Sequence, residues 1–426
     1  MKIKTIKIEN FKAINSLLLR PKQINILVGR NNTGKTSVLQ AISMAFDNTV
    51  IDDDFLYHPG SLINFESKTS TVEAEFVSKR RTKKIVKLSH PDLTALTTIL
   101  IAFTKRFIKQ FNQQAKDISK RRKQIETTRD SGTPFERVEL KLPEQDFFQR
   151  AIEVEKLKDA SESSLIVNRN KNTESFLSRE FLDLEREIEK KLIDGVKNVE
   201  KSGVEWRLLT RDWLFRSRFE RDLFSHKRFS SKISKENSPI FVSDPMSALE
   251  DSDEVEDTDL VRIEKDIEEI IKRDRLLPGM ERFRINALLV NRPNGARIIQ
   301  MDLMGDGFKS LVGLIYEIRS AKRGHIIMLE EPEVHLHPGY LMELVKNITD
   351  LSKDSDLQFF ISTHSSDLIQ FFLDNDALGT ERSSYLSKNL EIIRLNKTEE
   401  SILPDFLDYR EAQKEFKNLE IDLRGI

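Results

Sequence analysis

The first residues, "MKIKTIKIENFKAI", alternate apolar and polar positions as a strand with one buried face does. "INILVG" is continuously apolar and predicts a short strand covered on both sides. "TSVLQAISMAF" then spaces its apolar residues like an amphipathic helix. "STVEAEFVSKRRTKKIVKL" reads as further strands. Towards the other end, "GHIIMLEEP" and "LQFFISTH" are brief Ile-, Leu- and Phe-rich runs that end in polar residues, the pattern of parallel strands buried on both faces. Helical stretches, "GFKSLVGLIYEIRSA" and "GYLMELVKNITDLS", precede and separate them. The middle differs: charged helical patterns dominate, broken at Pro134, Pro143, Pro239 and Pro245. The expectation is an α/β head assembled from residues 1–91 and 279–426, with a mainly helical region inserted over 92–278. No heptad pattern persists long enough there to predict a coiled-coil arm.

The strand-to-helix turn at "LVGRNNTGKTS" carries the first candidate chemistry. Gly29, Gly34, Lys35 and Thr36 fit the phosphate-loop spacing of Gly, four free positions, then Gly-Lys-Ser/Thr. Backbone N–H groups must converge on the β- and γ-phosphates, and glycine lets the chain pass close to the anion. The loop residues Arg30, Asn31, Asn32, Thr33 and Ser37 belong to this candidate site. Lys35 reaches the phosphate oxygens as a point charge, Thr36 offers a hydroxyl to Mg²⁺, and the new helix points its positive end at the phosphates. The expected ligands are ATP and Mg²⁺.

"GHIIMLEEPEVHLHP" supplies two adjacent carboxylates at a strand's C-terminal end, where open α/β sheets bind ligands. Neighbouring side chains on a strand diverge, so the two acids are expected to do different work. Glu330 is assigned to Mg²⁺ and its water, and Glu331 to the attacking water as general base. In "ISTHSSDLI", His364 directly follows an apolar strand and is placed to contact a γ-phosphate if that strand neighbours the one bearing Glu331. Glu333, His335 and His337 also have spacing that permits zinc, but a loop meeting a partner subunit explains them better. Gly305, Asp306 and Gly307, before the helix of "MDLMGDGFKSLVGLIYEI", make a second anion-binding helix start, best used on a nucleotide held by another copy of the chain.

Composition narrows the picture modestly. There is no cysteine, which excludes disulfides and thiolate metal sites within this sequence, and formal net charge is −1. No apolar run is long enough to span a bilayer, so a soluble, cytoplasmic protein without membrane contact is expected. Charge is uneven locally. "SKRRKQIETTR" and "RDWLFRSRFERDLFSHKRFSSK" are basic, the second interleaving Trp213 and several Phe with Arg, while "LEDSDEVEDTD" is acidic and reads as a solvated segment.

Taken in order, the phosphate loop, "GDGFKSLVGLI", "IIMLEEPEVHLHP" and "ISTHSSDLI" resemble the ABC-type ATPase heads of the OLD, RecF, SMC and Rad50 superfamily, most of all the OLD-like AAA ATPases of prokaryotic defence systems. "IKIENFKAI" is similar to that family's opening strand, where Lys12 matches a basic residue near the nucleotide. The resemblance covers both chain ends, roughly half the length. It implies a head-to-tail homodimer or larger oligomer that sandwiches two nucleotides, each between one phosphate loop and the other chain's "GDGFK" segment. Two departures stand out: Glu330 occupies a position where many relatives have Asp, and "MGDGFKS" is not the usual Leu-Ser-Gly-Gly-Gln signature. Too few residues follow "ISTHSSDLI" for the Toprim nuclease that OLD-like proteins often carry. The expectation is therefore a separately encoded effector, a nuclease or toxin, as in two-gene anti-phage systems such as Septu and PARIS. The alternative is a DNA-binding repair ATPase like RecF, with DNA as partner.

Overall fold

The computed structural model describes residues 2–46, 58–77, 81–126, 153–169, 172–197, 239–242, 246, 257–273, 275–293, 295–398 and 401–418. In chain order the elements begin with β1 (Lys2–Phe11), β2 (Ile14–Leu19), β3 (Ile24–Val28), α1 (Lys35–Met44), β4 (Thr69–Val77) and β5 (Arg81–Ser89). There follow α2 (Leu93–Glu126), α3 (Val154–Ser163), β6 (Leu165–Arg169), β7 (Asn172–Phe176) and α4 (Arg179–Lys197). The remainder comprises β8 (Ile240–Val242), α5 (Asp257–Arg273), β9 (Met280–Arg284), β10 (Ala287–Arg292), β11 (Gly295–Gln300), α6 (Asp306–Ser320), β12 (Ile326–Glu330), α7 (Pro338–Asp354), β13 (Gln358–Ser362), α8 (Ser366–Leu373), α9 (Thr380–Asn389), β14 (Leu390–Lys397), β15 (Ile402–Asp408) and α10 (Tyr409–Asn418).

Two compact units result. The first comprises Met1–Val50, Ser70–Val86 and Lys232–Ile426, and the second Ile51–Thr69 and Lys87–Ser231. The first unit is built on a sheet of strand order β15-β14-β3-β13-β12-β8. Only β15 runs antiparallel to its neighbour; β14, β3, β13, β12 and β8 are parallel. Every residue of β3 and β13 is buried, as strands covered on both faces must be, which explains their continuous apolar runs. The register sets Ile361 beside both Ile26 and Leu329, so β13, carrying its following turn, lies between the phosphate-loop strand and the carboxylate strand.

This unit also contributes strands to a second sheet, in the order β2-β1-β4-β5. Here one face is buried: Ile3, Ile6, Ile8 and Phe11 of β1 are inaccessible to solvent. The side chain of Gln358, at the start of β13, ties the two sheets together. It accepts from Ile3 N (2.7 Å) and donates to Ile3 O (3.0 Å) and Lys22 O (2.9 Å). A buried amide is stable there because every polar atom it brings is matched. A three-stranded antiparallel sheet, β11-β10-β9, completes the unit.

The units do not divide at the sequence-derived limits of 92 and 278. β8 pairs in parallel with β12, and Ile263, Ile267, Ile270 and Ile271 of α5 join the core of the first unit. A three-residue strand leaves almost no periodic signal, and the apolar stripe of α5 says that it packs but not on what. Among its described residues the second unit is mainly helical, as expected. Leu96 and Leu100 of α2, Ala160 of α3 and Phe181, Leu184 and Ile188 of α4 form its core, and β6 and β7 add an antiparallel hairpin. Residues 211–232, with Trp213, Arg216, Arg218 and Arg221, lie outside the described residues, as does most of the acidic run over 249–259. No described helix is long and apolar enough to cross a membrane.

Candidate active site

The phosphate-loop residues follow directly from the end of β3. Gly34 has φ of +89° and caps α1, a left-handed conformation that costs glycine little. Asn32 is also left-handed at +61°, and such alternation turns successive N–H groups to one side, the backbone form of an anion nest. At Gly29 the chain passes so close to its surroundings that a Cβ would stand 2.6 Å from Leu395 O and 2.7 Å from Thr33 Oγ1. Thr33 and Ser37 are buried, whereas Arg30, Asn31 and Asn32 are exposed. Thr33 Oγ1 donates to Arg30 O at 2.9 Å and closes the loop. Lys35 is buried, its Nζ donating to Gly29 O and Arg30 O at 3.0 Å each. Burial holds the Lys35 ammonium below its ordinary pKa, opposed by the charges of Glu331, Glu333 and Glu330.

Thr36 Oγ1 donates to Glu330 Oε1, a hydrogen bond between residues from opposite ends of the chain. The pair is made of hard oxygen donors, one of them a carboxylate, and that donor chemistry suits Mg²⁺, which binds one or two carboxylates beside substrate phosphates. Glu331 diverges from Glu330, but not through strand alternation as the sequence suggested. β12 ends at Glu330, and Glu331 has turned into a left-handed conformation with φ of +43°. Its N–H donates to Ser362 O at 3.0 Å, and its Oε1 lies 3.1 Å from His364 Nε2. His364 stands beyond the end of β13, which does neighbour β12. Thr363 N donates to Leu27 O at 3.1 Å, anchoring the same turn to the phosphate-loop strand.

The remaining candidates sit nearby in different roles. Lys12, in the turn between β1 and β2, donates to Gln40 Oε1 on α1 at 2.6 Å. Gly305 is the N-cap of α6, and Asp306 bonds Lys309 at 2.9 Å, which holds its carboxyl below the usual range. A Cβ on Gly307 would meet His335 O at 2.7 Å, so the start of α6 packs on the segment following Glu331. The zinc alternative finds no support. His337 Nδ1 accepts from Gly339 N as the cap of α7, Glu333 is engaged elsewhere, and no cluster of three metal-ligating side chains exists among the described residues. Sequence reasoning missed what Glu333 does. Its Oε1 accepts from Thr363 Oγ1 (2.6 Å), His364 N (2.8 Å) and Ser365 N (3.2 Å). The only signal was a third acid after "EEP", and it named no partner.

A phosphate loop, a pair of carboxylates and a histidine converging on the C-terminal edge of one parallel sheet define an ABC-type P-loop ATPase head. The chain belongs to the AAA ATPase domain family, whose model matches residues 1–369. It is similar to the Old nuclease of Escherichia phage P2, 23% identical over 387 residues, covering 87% of this chain and 57% of that protein. It is also similar to the DNA replication and repair protein RecF of Chlorobium luteolum, 37% identical over 92 residues, covering 21% of this chain and 24% of RecF. The chain thus spans less than two thirds of either relative. Among solved structures, the SMC head domain from Thermotoga maritima aligns over 95% of this chain and 99% of its own, with a TM-score of 0.42 and 12% identity.

Proposed function

We propose that this protein binds ATP with Mg²⁺, hydrolyses it between two head-to-tail heads, and uses the cycle to control a separately encoded effector in anti-phage defence. The observation that carries the hydrolytic reading is the meeting of Thr36, from the first part of the chain, with Glu330, from its last, beside the contact of Glu331 with His364. In this reading the loop N–H groups from Gly29 to Ser37 cradle the phosphates, and Lys35 neutralises charge on the β- and γ-oxygens. Thr36 and Glu330 would hold Mg²⁺, whose charge stabilises the transferring phosphoryl group when bound. Glu331 accepts the proton of the attacking water as its oxygen bonds the γ-phosphorus. The bond from that phosphorus to the β–γ bridging oxygen breaks, giving ADP and phosphate. His364 orients Glu331 and contacts the γ-phosphate.

Glu331→Gln tests this directly. Phosphate release should fall by about 10²-fold or more while ATP binding persists. Unchanged turnover would overturn the general-base role.

Gly305, Asp306 and Gly307 at the start of α6 are assigned to the nucleotide of the second protomer, and the inserted unit to partner contact. The effector reading is supported by the resemblance to two-gene defence ATPases and by similarity to a protein named as a nuclease. Co-purification with the product of an adjacent gene is its test. Similarity to RecF favours a second reading, a DNA-repair ATPase. That reading requires DNA binding that weakens steeply with salt and is lost when Arg216, Arg218 and Arg221 are neutralised.

A further inference from the structure

The turn that carries His364 presents a local difficulty. A strand that stops leaves its next backbone N–H groups without a ladder partner, and a half-buried N–H without an acceptor is costly. Here the N–H groups of His364 and Ser365 and the hydroxyl of Thr363 all point at one atom, Glu333 Oε1, at 2.8, 3.2 and 2.6 Å. Ser365 N is shared with Thr363 Oγ1 at 2.9 Å. Ser365 is also the N-cap of α8, its Oγ accepting from Leu368 N at 3.1 Å, so the Glu333 carboxylate lies at that helix's positive end.

Glu333 follows Glu331 by two residues, with the stiff Pro332 between them. One short segment therefore grips His364 twice: Glu331 meets the imidazole at 3.1 Å, and Glu333 holds the backbone of the same residue at 2.8 Å. With both ends fixed, the ring has little freedom to leave Glu331. A carboxylate that only capped α8 would not need to act on the histidine backbone.

We propose that Glu333 is a positioning residue for hydrolysis, clamping the 363–365 turn so that the His364 imidazole stays on Glu331. This rests on the roles given to Glu331 and His364 above. A neutral glutamine keeps an acceptor oxygen for all three donors, whereas alanine removes it.

The test is a mutant cycle with Glu333→Ala, Glu333→Gln, His364→Ala and the Glu333→Ala/His364→Ala double variant, read as kcat and KM for ATP. Beside it, the His364 imidazole signals are followed by NMR in the nucleotide-free protein and assigned by their disappearance in His364→Ala. Glu333→Ala should lower kcat by about 10²-fold, the loss typical of a small misplacement, with KM unchanged. Glu333→Gln should regain most of that loss. In the His364→Ala background, Glu333→Ala should add nothing, because both changes break one unit. The His364 signals should move in Glu333→Ala and stay near their original positions in Glu333→Gln. Multiplying losses in the double variant, or unmoved imidazole signals, would overturn the proposal. If Glu333→Ala does not fold, full activity loss in Glu333→Gln with unmoved His364 signals would overturn it equally. The NMR readout needs no turnover, so it judges the clamp even if Glu331→Gln refutes the hydrolytic reading.

Discussion

Gly34 and Glu331 both have left-handed backbones, for opposite reasons. Gly34 is the permissive residue, and a Cβ there would come within 2.6 Å of Ile402 Cδ1. Glu331, with φ of +43°, bears a cost on the order of 1–2 kcal/mol that the surrounding structure must offset, and in return its carboxylate leaves the line of β12 and reaches His364. Gly34→Ala should therefore lower stability by about 1–2 kcal/mol, read as a reduced thermal midpoint, and weaken ATP binding in calorimetry. The candidate loop and both glutamates could be picked out in the sequence because each motif is local, a few consecutive residues at a strand end. Glu333 was not legible, because its donors lie thirty positions further along, on a different strand end.

β13 is the element on which the site depends. It is flanked by β3 and β12, is buried at every position, and begins with the amide that pins β1. Gln358→Ala would leave Ile3 N, Ile3 O and Lys22 O without that partner, at a cost of roughly 3 kcal/mol in urea unfolding. A second prediction concerns β14. Burial raises the pKa of Glu391 despite the nearby Lys22 ammonium. A carboxyl raised on folding binds its proton more tightly in the native state, so its contribution is fully present below the unfolded pKa and is lost as pH rises through the folded one. Glu391→Gln should accordingly raise the thermal midpoint at neutral pH, with the gain vanishing below the ordinary carboxylate range; a gain that persists in acid would refute this account. The apolar runs of β3, β12 and β13 announced buried parallel strands. Their order did not follow from the sequence, because each run is apolar on both faces and offers no preferred neighbour.

Across the whole molecule, hydrolysis and assembly are expected to be linked. If the α6 start of one chain closes the phosphate loop of another, Glu331→Gln with ATP and Mg²⁺ should shift to a dimer in light scattering. Lys35→Ala should remain in its nucleotide-free state under the same conditions. A mass unaffected by ATP in the Glu331→Gln protein would remove the head-to-tail arrangement while leaving the chemistry within one head intact. The long insertion between the two head segments leaves its own unit with a separate small core of Leu96, Leu100, Ala160, Phe181, Leu184 and Ile188. Its helical nature was evident from the charge periodicity, but the return of residues 240–242 and 257–273 to the first unit was not.

The sequence alone determined the candidate pieces of chemistry and their order: a loop of phosphate-binding spacing, paired acids at a strand end, a histidine after another strand. These are short-range facts, since a handful of consecutive residues must satisfy one ligand or one turn. Tertiary structure decided which pieces touch. Parallel pairing of β3, β13 and β12 placed Thr36 on Glu330, Glu331 on His364, and Glu333 under the turn that carries that histidine. Such contacts depend on sheet register, and register is settled only when buried faces pack together.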